Sequence, residues 1–167
     1  DGHEGEPDED IPLHEMLAKG GVFYRIGGNT KRQVLQNALD MVKGIDESSS
    51  QPLFEMFLAR EELAPTGIGE GIAIPHARGS LLGYVRQPIL SLSFLETPID
   101  YGALDGKPVH ALFLLISPNV RTHLRTLAKL SFALRDPACK EAIQNEASRE
   151  AILELFALME NRFRTDS

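Results

Sequence analysis

The sequence predicts an α/β fold, a compact sandwich in which helices cover both faces of a sheet. Residues 109–116 form an apolar run interrupted only by His110, which is typical of a strand covered on both faces. Residues 89–95 alternate apolar residues with serines, which predicts a half-buried strand. Several other segments repeat apolar residues at helical spacing, and we expect these helices to pack on the two sides of the sheet.

The remaining elements follow from their spacing and from their flanking residues. Asn29 or Thr30 offers an N-cap for the second helix, and Gly44 ends it. Residues 97–108 are rich in turn formers and predict a surface hairpin loop. Further short strands are predicted at residues 22–26 and 72–74. Helices are predicted at residues 13–18, 31–42, a segment starting near Pro52, 121–135, 137–145 and a last segment after Ser148.

Length and charge predict one domain with an acidic tail. A chain of 167 residues with 43% hydrophobic residues fits one domain with a sizeable core. The 24 acids exceed the 17 bases, but six of the acids lie in residues 1–10, so the rest of the chain has 18 acids. We therefore interpret residues 1–12 as an acidic tail or linker and 13–167 as the domain. The nearly neutral body lacks the basic footprint of a nucleic-acid-binding protein.

Cysteine content and hydropathy favour a cytoplasmic protein. Cys139 is the single cysteine, which excludes a disulfide framework within one chain. No apolar run approaches the roughly 20 residues that a membrane-spanning helix needs, and no signal-peptide pattern opens the chain. We therefore expect no direct membrane insertion. The acidic start, with its glycines and a proline, suggests a linker to an upstream domain.

The most informative stretch is TGIGEGIAIPHAR, residues 66–78. Its alternating glycines leave amide N–H groups uncovered by side chains, and such groups can form an anion-binding concavity. Pro75 has no N–H, so it ends a strand ladder and fixes the backbone that leads into His76. The stretch therefore predicts a histidine at a sheet edge, facing a loop that accepts negative charge. The glycines are Gly67, Gly69 and Gly71.

The run from Gly67 to His76 resembles the active-site signature of a known family. The family comprises the enzyme IIA domains of the fructose/mannitol type in the bacterial phosphoenolpyruvate:sugar phosphotransferase system, and the nitrogen-regulatory branch is the most similar. The resemblance extends from about Ile11 to Phe163 and implies a small mixed sheet flanked by helices. It also implies that His76 carries a phosphoryl group, with a second histidine at His123 and an arginine at Arg60 lining the site.

The residue chemistry agrees with that implication. A neutral imidazole is a good nucleophile near pH 7 because its ordinary pKa is about 6.5. A carbonyl or carboxylate on its other nitrogen would fix the reactive tautomer. Phosphoryl transfer then needs alignment and neutralisation of charge, which the amides of residues 67–71 and a helix N-terminus at His123 could supply. We expect no metal and no cofactor.

Other candidates carry less weight, and each also has an ordinary structural interpretation. Arg60 could be a solvated residue paired within its helix, and His123 a histidine on a helix surface. Glu70 could hold a backbone amide, orient a partner, or be a solvated loop acid. Arg78 could contact a donor protein. His110 is interpreted as a core histidine.

These features predict a phosphohistidine carrier, a phosphotransferase with a nitrogen-regulatory role. His76 would accept phosphate from a histidine-phosphorylated carrier protein and pass it to a IIB-type domain or a regulated protein. The absence of a P-loop signature argues against ATP as the donor. Three alternatives remain open. They are a sugar-specific IIA component, a binding module that turns over no phosphate, and a metal site or hydrolase built from His76, His110 and His123.

Overall fold

The computed structural model describes residues 10–77, 81 and 83–166. Within these residues the chain forms six α-helices and a five-stranded mixed sheet, which confirms the α/β prediction. The helices are α1 Leu13–Gly20, α2 Lys31–Met41, α3 Ser50–Leu63, α4 Val120–Leu134, α5 Pro137–Gln144 and α6 Arg149–Asp166. The strands are β1 Val22–Ile26, β2 Gly67–Gly69, β3 Ile72–Ala73, β4 Ile89–Ile99 and β5 Val109–Ile116.

The sheet has the order β1-β4-β5-β3-β2 and helices on both faces. β1 pairs with β4 and β3 with β5 in parallel, whereas β4 and β5, and β2 and β3, are antiparallel. Phe113 and Leu115 of β5 pack with α1, α4, α5 and α6, and Leu112 and Leu114 pack with α2 and α3. The continuous apolar run of β5 therefore fills two cores, as its sequence predicted.

The strand predicted at residues 89–95 is confirmed, but the prediction that it is half-buried is wrong. β4 continues to Ile99, and the side chains of Ser91 and Ser93 are fully buried. The physical reason is the position of β4 between β1 and β5, with helical layers on both sides. The serines therefore face a helical layer instead of solvent.

The glycine-rich stretch is a β-hairpin, not an open loop before a strand. β2 and β3 pair antiparallel, with Gly69 opposite Ile72, and Glu70 and Gly71 form the turn. Glu70 has φ 57° and Gly71 has φ 82°. Positive φ at both central residues is the requirement of a two-residue type I′ turn, the connection that matches the twist of two antiparallel strands. Glycine satisfies this requirement without strain.

The segment interpreted as a tail falls largely outside the described residues, which begin at Asp10. Asp10 forms ion pairs with Arg125 at 2.9 Å and with Lys129 at 2.8 Å, both on α4. The buried Lys129 also contacts Glu160 of α6 at 2.7 Å. Asp10 is thus tied to the helical layer over the sheet. Within the described ranges, no helix is long and apolar enough to cross a membrane.

Candidate functional site

The main chain after β3 carries His76 along the edge of β5. His76 forms an isolated parallel bridge with Leu115, and the Leu115 N–H donates to the carbonyl of Pro75 at 3.0 Å. Pro75 has no N–H to continue the ladder, so regular pairing ends here. The half-buried histidine therefore lies close to the carboxyl end of β5, where α/β sheets commonly place their ligands.

A backbone carbonyl fixes the tautomer of His76. Its Nδ1 lies 2.7 Å from the carbonyl oxygen of Ile74. A carbonyl can only accept a hydrogen bond, so Nδ1 carries the hydrogen and donates it. The lone pair of the neutral ring is then on Nε2, which is the nitrogen free to act as nucleophile. The acceptor that sequence reasoning required but could not identify is the carbonyl of Ile74.

The first turn of α4 brings His123 to His76. The side chain of Asn119 caps this helix by accepting from the Thr122 N–H at 2.8 Å. The two imidazole rings have centroids 4.9 Å apart and planes at 46°. The structure therefore brings together the two histidines that the sequence placed 47 positions apart.

Arg60 completes the cluster from the last turn of α3. Its Nη1 donates to the carbonyl of Ala64 at 2.7 Å, which holds the guanidinium at the end of the helix. The charge of Arg60 acts on both histidines, since it contributes to lowering the pKa of each. All three predicted side chains thus converge on one site.

Both imidazoles are kept neutral. Burial, chiefly, and Arg60 lower the pKa of His76 below 6.5, although the hydrogen bond to Ile74 and the charge of Glu61 oppose them. Burial, followed by the charges of His76 and Arg60, lowers the pKa of His123 to about 4. No acidic residue occupies the first turn of α4, so the positive end of its dipole adds to this effect. The site presents an unprotonated nucleophile in positive surroundings, which suits an incoming oxyanion.

The structure does not bring the hairpin turn to the histidine pair. The carbonyl of Gly71 accepts from the N–H of Ala111 at 3.1 Å, whereas His76 pairs with Leu115. Ala111 and Leu115 are four positions apart on β5, which corresponds to about 13 Å at the rise of a strand. Gly71 therefore lies immediately before β3, and His76 lies three residues beyond its other end.

The turn residues are engaged in local contacts. The N–H of Glu70 donates to Asp105 at 2.8 Å, and the Glu70 carboxylate contacts Lys140 at 3.3 Å. Gly69 has φ 101°, a conformation that glycine adopts most readily. Gly67 is buried, and a Cβ there would lie 2.9 Å from that of Ala103. The structure gives no support to a phosphate-binding role for these residues, because their geometry is explained by the hairpin.

Two further candidates lie elsewhere. Arg78, predicted to contact a partner protein, is outside the described residues. His110 lies at the start of β5, stacked on Phe94 with ring centroids 6.5 Å apart. It is therefore at the opposite end of the strand from Leu115, beside which His76 lies. Among the described residues, no three histidine, cysteine, aspartate or glutamate side chains group in a way that could hold a metal ion.

Sequence reasoning missed Glu61, a buried carboxylate next to Arg60. Its charge raises the pKa of His76, and its side chain is bonded to the segment that enters β2. The signal was present in the spacing, because Glu61 continues the buried stripe of Phe54 and Phe57 on α3. A charged residue on such a stripe indicates a buried carboxylate with hydrogen-bond partners.

Known proteins share this sequence pattern. The profile of a family described as phosphoenolpyruvate-dependent sugar phosphotransferase system, EIIA 2, matches residues 15–158. The nitrogen regulatory protein of Pseudomonas aeruginosa is 33% identical over 154 residues, covering 90% of this chain and 98% of the relative. The fructose-specific EIIABC component of the Bacillus subtilis phosphotransferase system is 31% identical over 151 residues, covering 87% of this chain and 23% of that protein.

Solved structures share the fold. The crystal structure of nitrogen regulatory protein IIA-Ntr from Neisseria meningitidis superposes with a TM-score of 0.73 at 28% identity, covering 86% of this chain and 98% of the other. The solution complex of enzyme IIA and phosphorylated enzyme IIB for mannitol from Escherichia coli gives a TM-score of 0.60 at 19% identity, covering 84% and 95% of the chains. At that identity the second match shows the fold alone.

Proposed function

The chain belongs to the EIIA 2 family of the phosphoenolpyruvate-dependent sugar phosphotransferase system, as its signature predicted, and we propose that it carries phosphate on Nε2 of His76. The observation that supports this most is the hydrogen bond from Nδ1 to the carbonyl of Ile74. It leaves a lone pair on Nε2 of a ring that is neutral at pH 7. A neutral, oriented imidazole is what nucleophilic attack on phosphorus requires.

The proposed step moves one phosphoryl group between two nitrogens. The lone pair of Nε2 forms a bond to phosphorus while the bond from phosphorus to the donor nitrogen breaks, and the donor nitrogen keeps that electron pair. The hydrogen on Nδ1 stays in place. Because the ring becomes more positive as the bond forms, its hydrogen bond to Ile74 strengthens. No oxidant or reductant is involved.

Arg60 and His123 would stabilise the moving group. The transition state of phosphoryl transfer spreads negative charge over three oxygens, so catalysis depends on donors placed around them. The guanidinium of Arg60 supplies positive charge and N–H donors. His123 supplies one ring N–H, and the first turn of α4 adds the partial charge of the helix dipole.

A protein donor and a protein acceptor suit the surroundings of the site. Val120 and Leu124, which flank His123 on α4, are 53% and 60% exposed. Leu63, close to Arg60 on α3, is 64% exposed. Exposed apolar side chains around a reactive group are typical of a surface that docks other proteins. We propose a histidine-phosphorylated carrier protein as donor and a IIB-type domain or a regulated protein as acceptor.

The relatives favour a nitrogen-regulatory role. The Pseudomonas aeruginosa relative is a nitrogen regulatory protein, and the match covers nearly all of it. A second candidate is a sugar-specific IIA component, which the match to the fructose-specific component of Bacillus subtilis supports. The complex of enzyme IIA with phosphorylated enzyme IIB for mannitol supports a IIB-type acceptor for either candidate.

Transfer of phosphate from phosphoenolpyruvate through the general phosphotransferase proteins tests the proposal. We expect an acid-labile, base-stable phosphate on the chain, absent when the donor proteins are omitted and lost completely in His76→Ala. His14→Ala is the matched control, since His14 lies on α1 and should keep the full label. A folded wild-type chain that takes no label would contradict the carrier role and favour a binding module instead.

A further inference from the structure

Glu61 is a charged group in a place where charge is costly. It lies in the last turn of α3 and is 5% exposed, on the stripe that packs Phe54 and Phe57 into the core. Burial of a carboxylate without partners costs many kcal/mol, so a buried one needs several donors. The carrier step as described above assigns Glu61 no role.

Four donors from the described part of the chain meet this carboxylate. Oε1 accepts from the Thr66 N–H at 3.0 Å and lies 3.5 Å from Nζ of Lys31. Oε2 accepts from the Tyr101 hydroxyl at 2.9 Å and from the Thr66 hydroxyl. Two of the four donors belong to Thr66. The carboxylate therefore fixes the short segment that leaves α3 and enters β2.

Hydrogen bonds connect that segment to Arg60 and, through Ile74, to His76. Two residues before Thr66, the carbonyl of Ala64 accepts from the guanidinium of Arg60 at 2.7 Å. The carbonyl of Thr66 accepts from the Ile74 N–H at 3.0 Å. Ile74 in turn offers the carbonyl that accepts from Nδ1 of His76. A continuous set of hydrogen bonds thus runs from Glu61 to the imidazole.

We propose that Glu61 is a positioning residue for phosphoryl transfer, holding residues 64–66 so that Arg60 and the acceptor of His76 keep their places. This inference rests on the carrier function proposed above. Glu61 acts through other groups and needs no contact with the phosphoryl group. Alignment matters here because a displacement of about 1 Å costs on the order of 100-fold in rate.

The negative charge of Glu61 has a second effect on the same ring. Among the described residues, the charged and titratable groups that act on His76 and His123 are Arg60 and Glu61 from α3 and the two imidazoles themselves. Of these, Glu61 is the one that raises the pKa of His76. The negative charge of Glu61 favours positive charge on the imidazole of His76, and that ring gains positive charge as its Nε2 bonds to phosphorus.

The substitution Glu61→Gln separates these effects from bulk packing. The amide keeps the volume and can still accept from the Thr66 N–H, and the hydroxyls of Thr66 and Tyr101 can turn to accept from it. Glu62→Gln is the matched control, since it removes the same charge from the neighbouring, exposed position. Glu61→Asp keeps the charge but withdraws it by one methylene.

Three quantities are measured on each folded variant: the rate of phosphorylation by a phosphorylated carrier protein, the pKa of His76 by NMR, and the melting temperature. We expect Glu61→Gln to slow phosphorylation on the order of 10- to 100-fold and to lower the pKa of His76. Glu62→Gln should match the wild type in both. Glu61→Asp should keep the pKa of His76 close to the wild-type value and have an intermediate rate.

The outcomes separate this inference from the carrier function. A folded Glu61→Gln with the wild-type rate, or with a slow rate and an unmoved pKa of His76, overturns the positioning role. If Glu61→Gln does not fold, Glu61→Asp tests the positioning role instead, and a wild-type phosphorylation rate in Glu61→Asp overturns that role. If the wild type takes no phosphate, the carrier function fails, while the pKa of His76 in Glu61→Gln still tests the coupling of the two residues.

Discussion

The two ends of β3 belong to one signature in the sequence and have different tasks in the structure. At the amino end, Glu70 and Gly71 form a tight turn whose polar groups bond to neighbouring loops and to α5. At the carboxyl end, His76 lies beside His123, and the hydrogen bond from its Nδ1 to the Ile74 carbonyl leaves the lone pair of the ring on the reactive Nε2. The comparison teaches that a short contiguous motif can combine a folding element with a chemical group about 13 Å away.

Among substitutions around the two ends of β3, we expect the largest effect on the phosphorylation rate from Arg60, which lies close enough to His76 to lower its pKa. We expect Arg60→Gln to slow phosphorylation about 100-fold, because it removes charge and N–H donors from the transferring group. The same change should raise the pKa of both histidines, since Arg60 lowers each of them. Transfer kinetics and an NMR titration on the same sample check both effects. An unchanged rate would place Arg60 outside the chemistry.

His123 should matter less than Arg60. We expect His123→Asn to slow phosphorylation about 10-fold, because one donor is displaced while the helix dipole and Arg60 remain. Asparagine keeps an N–H donor, and His76 should stay the labelled residue. A comparison of initial rates with the wild type measures the effect. Complete loss of label in a folded variant would contradict this modest role and show that transfer to His76 cannot proceed without His123.

Substitutions in the turn of Glu70 and Gly71 should lower the stability of the fold without changing the rate of phosphorylation. Gly71→Ala places a Cβ at 2.5 Å from the ring of His110 on a residue with φ 82°. We expect a loss of about 1–3 kcal/mol in the free energy of unfolding, and a phosphorylation rate per folded molecule within about twofold of the wild type. Glu70→Gln should also keep its rate. A rate reduced as strongly as in Arg60→Gln would restore the phosphate-binding role of this loop.

The pH dependence should be the smallest effect near neutrality. A histidine of ordinary pKa would be half protonated at pH 6.5, so the lowered pKa of His76 predicts a loss of less than about twofold between pH 7.5 and 6.5. Below this range the unfolded chain binds more protons than the folded one, so stability should fall as pH decreases from about 6.5 towards 4, the pKa of His123. Equilibrium unfolding over this range measures the fall. Constant stability would contradict the burial of the two rings.

Sequence patterns were sufficient for most of the fold because helix stripes and the apolar run of β5 are local signals. They failed for Ser91 and Ser93, whose alternation resembles a solvent face although β4 is covered on both sides. Burial on the second face depends on which strands and helices become neighbours, and no local pattern records it. The same limit applies to Glu70 and Gly71, whose positive φ angles form a hairpin turn where the sequence predicted an anion-accepting loop.

For the site, residue types were predictable and their contacts were not. His76 was identified from the signature, and the family resemblance implied His123 and Arg60; the structure places the three together. The carbonyl of Ile74 could not be foreseen, because a backbone acceptor leaves no mark in the side-chain sequence. Glu61 had a visible signal in its helical register, but its donors lie outside the helix, with Thr66 in the segment that follows it and Tyr101 40 residues beyond Glu61 along the chain.

The ring nitrogens of His76 test the central claim most directly. In 15N NMR spectra of the unphosphorylated protein, we expect Nδ1 of His76 to be protonated and Nε2 to be unprotonated at pH 7. After incubation with phosphoenolpyruvate and the general phosphotransferase proteins, coupling to phosphorus should appear on Nε2 while Nδ1 keeps its hydrogen. Phosphate on Nδ1, or on a residue other than His76, would contradict the account.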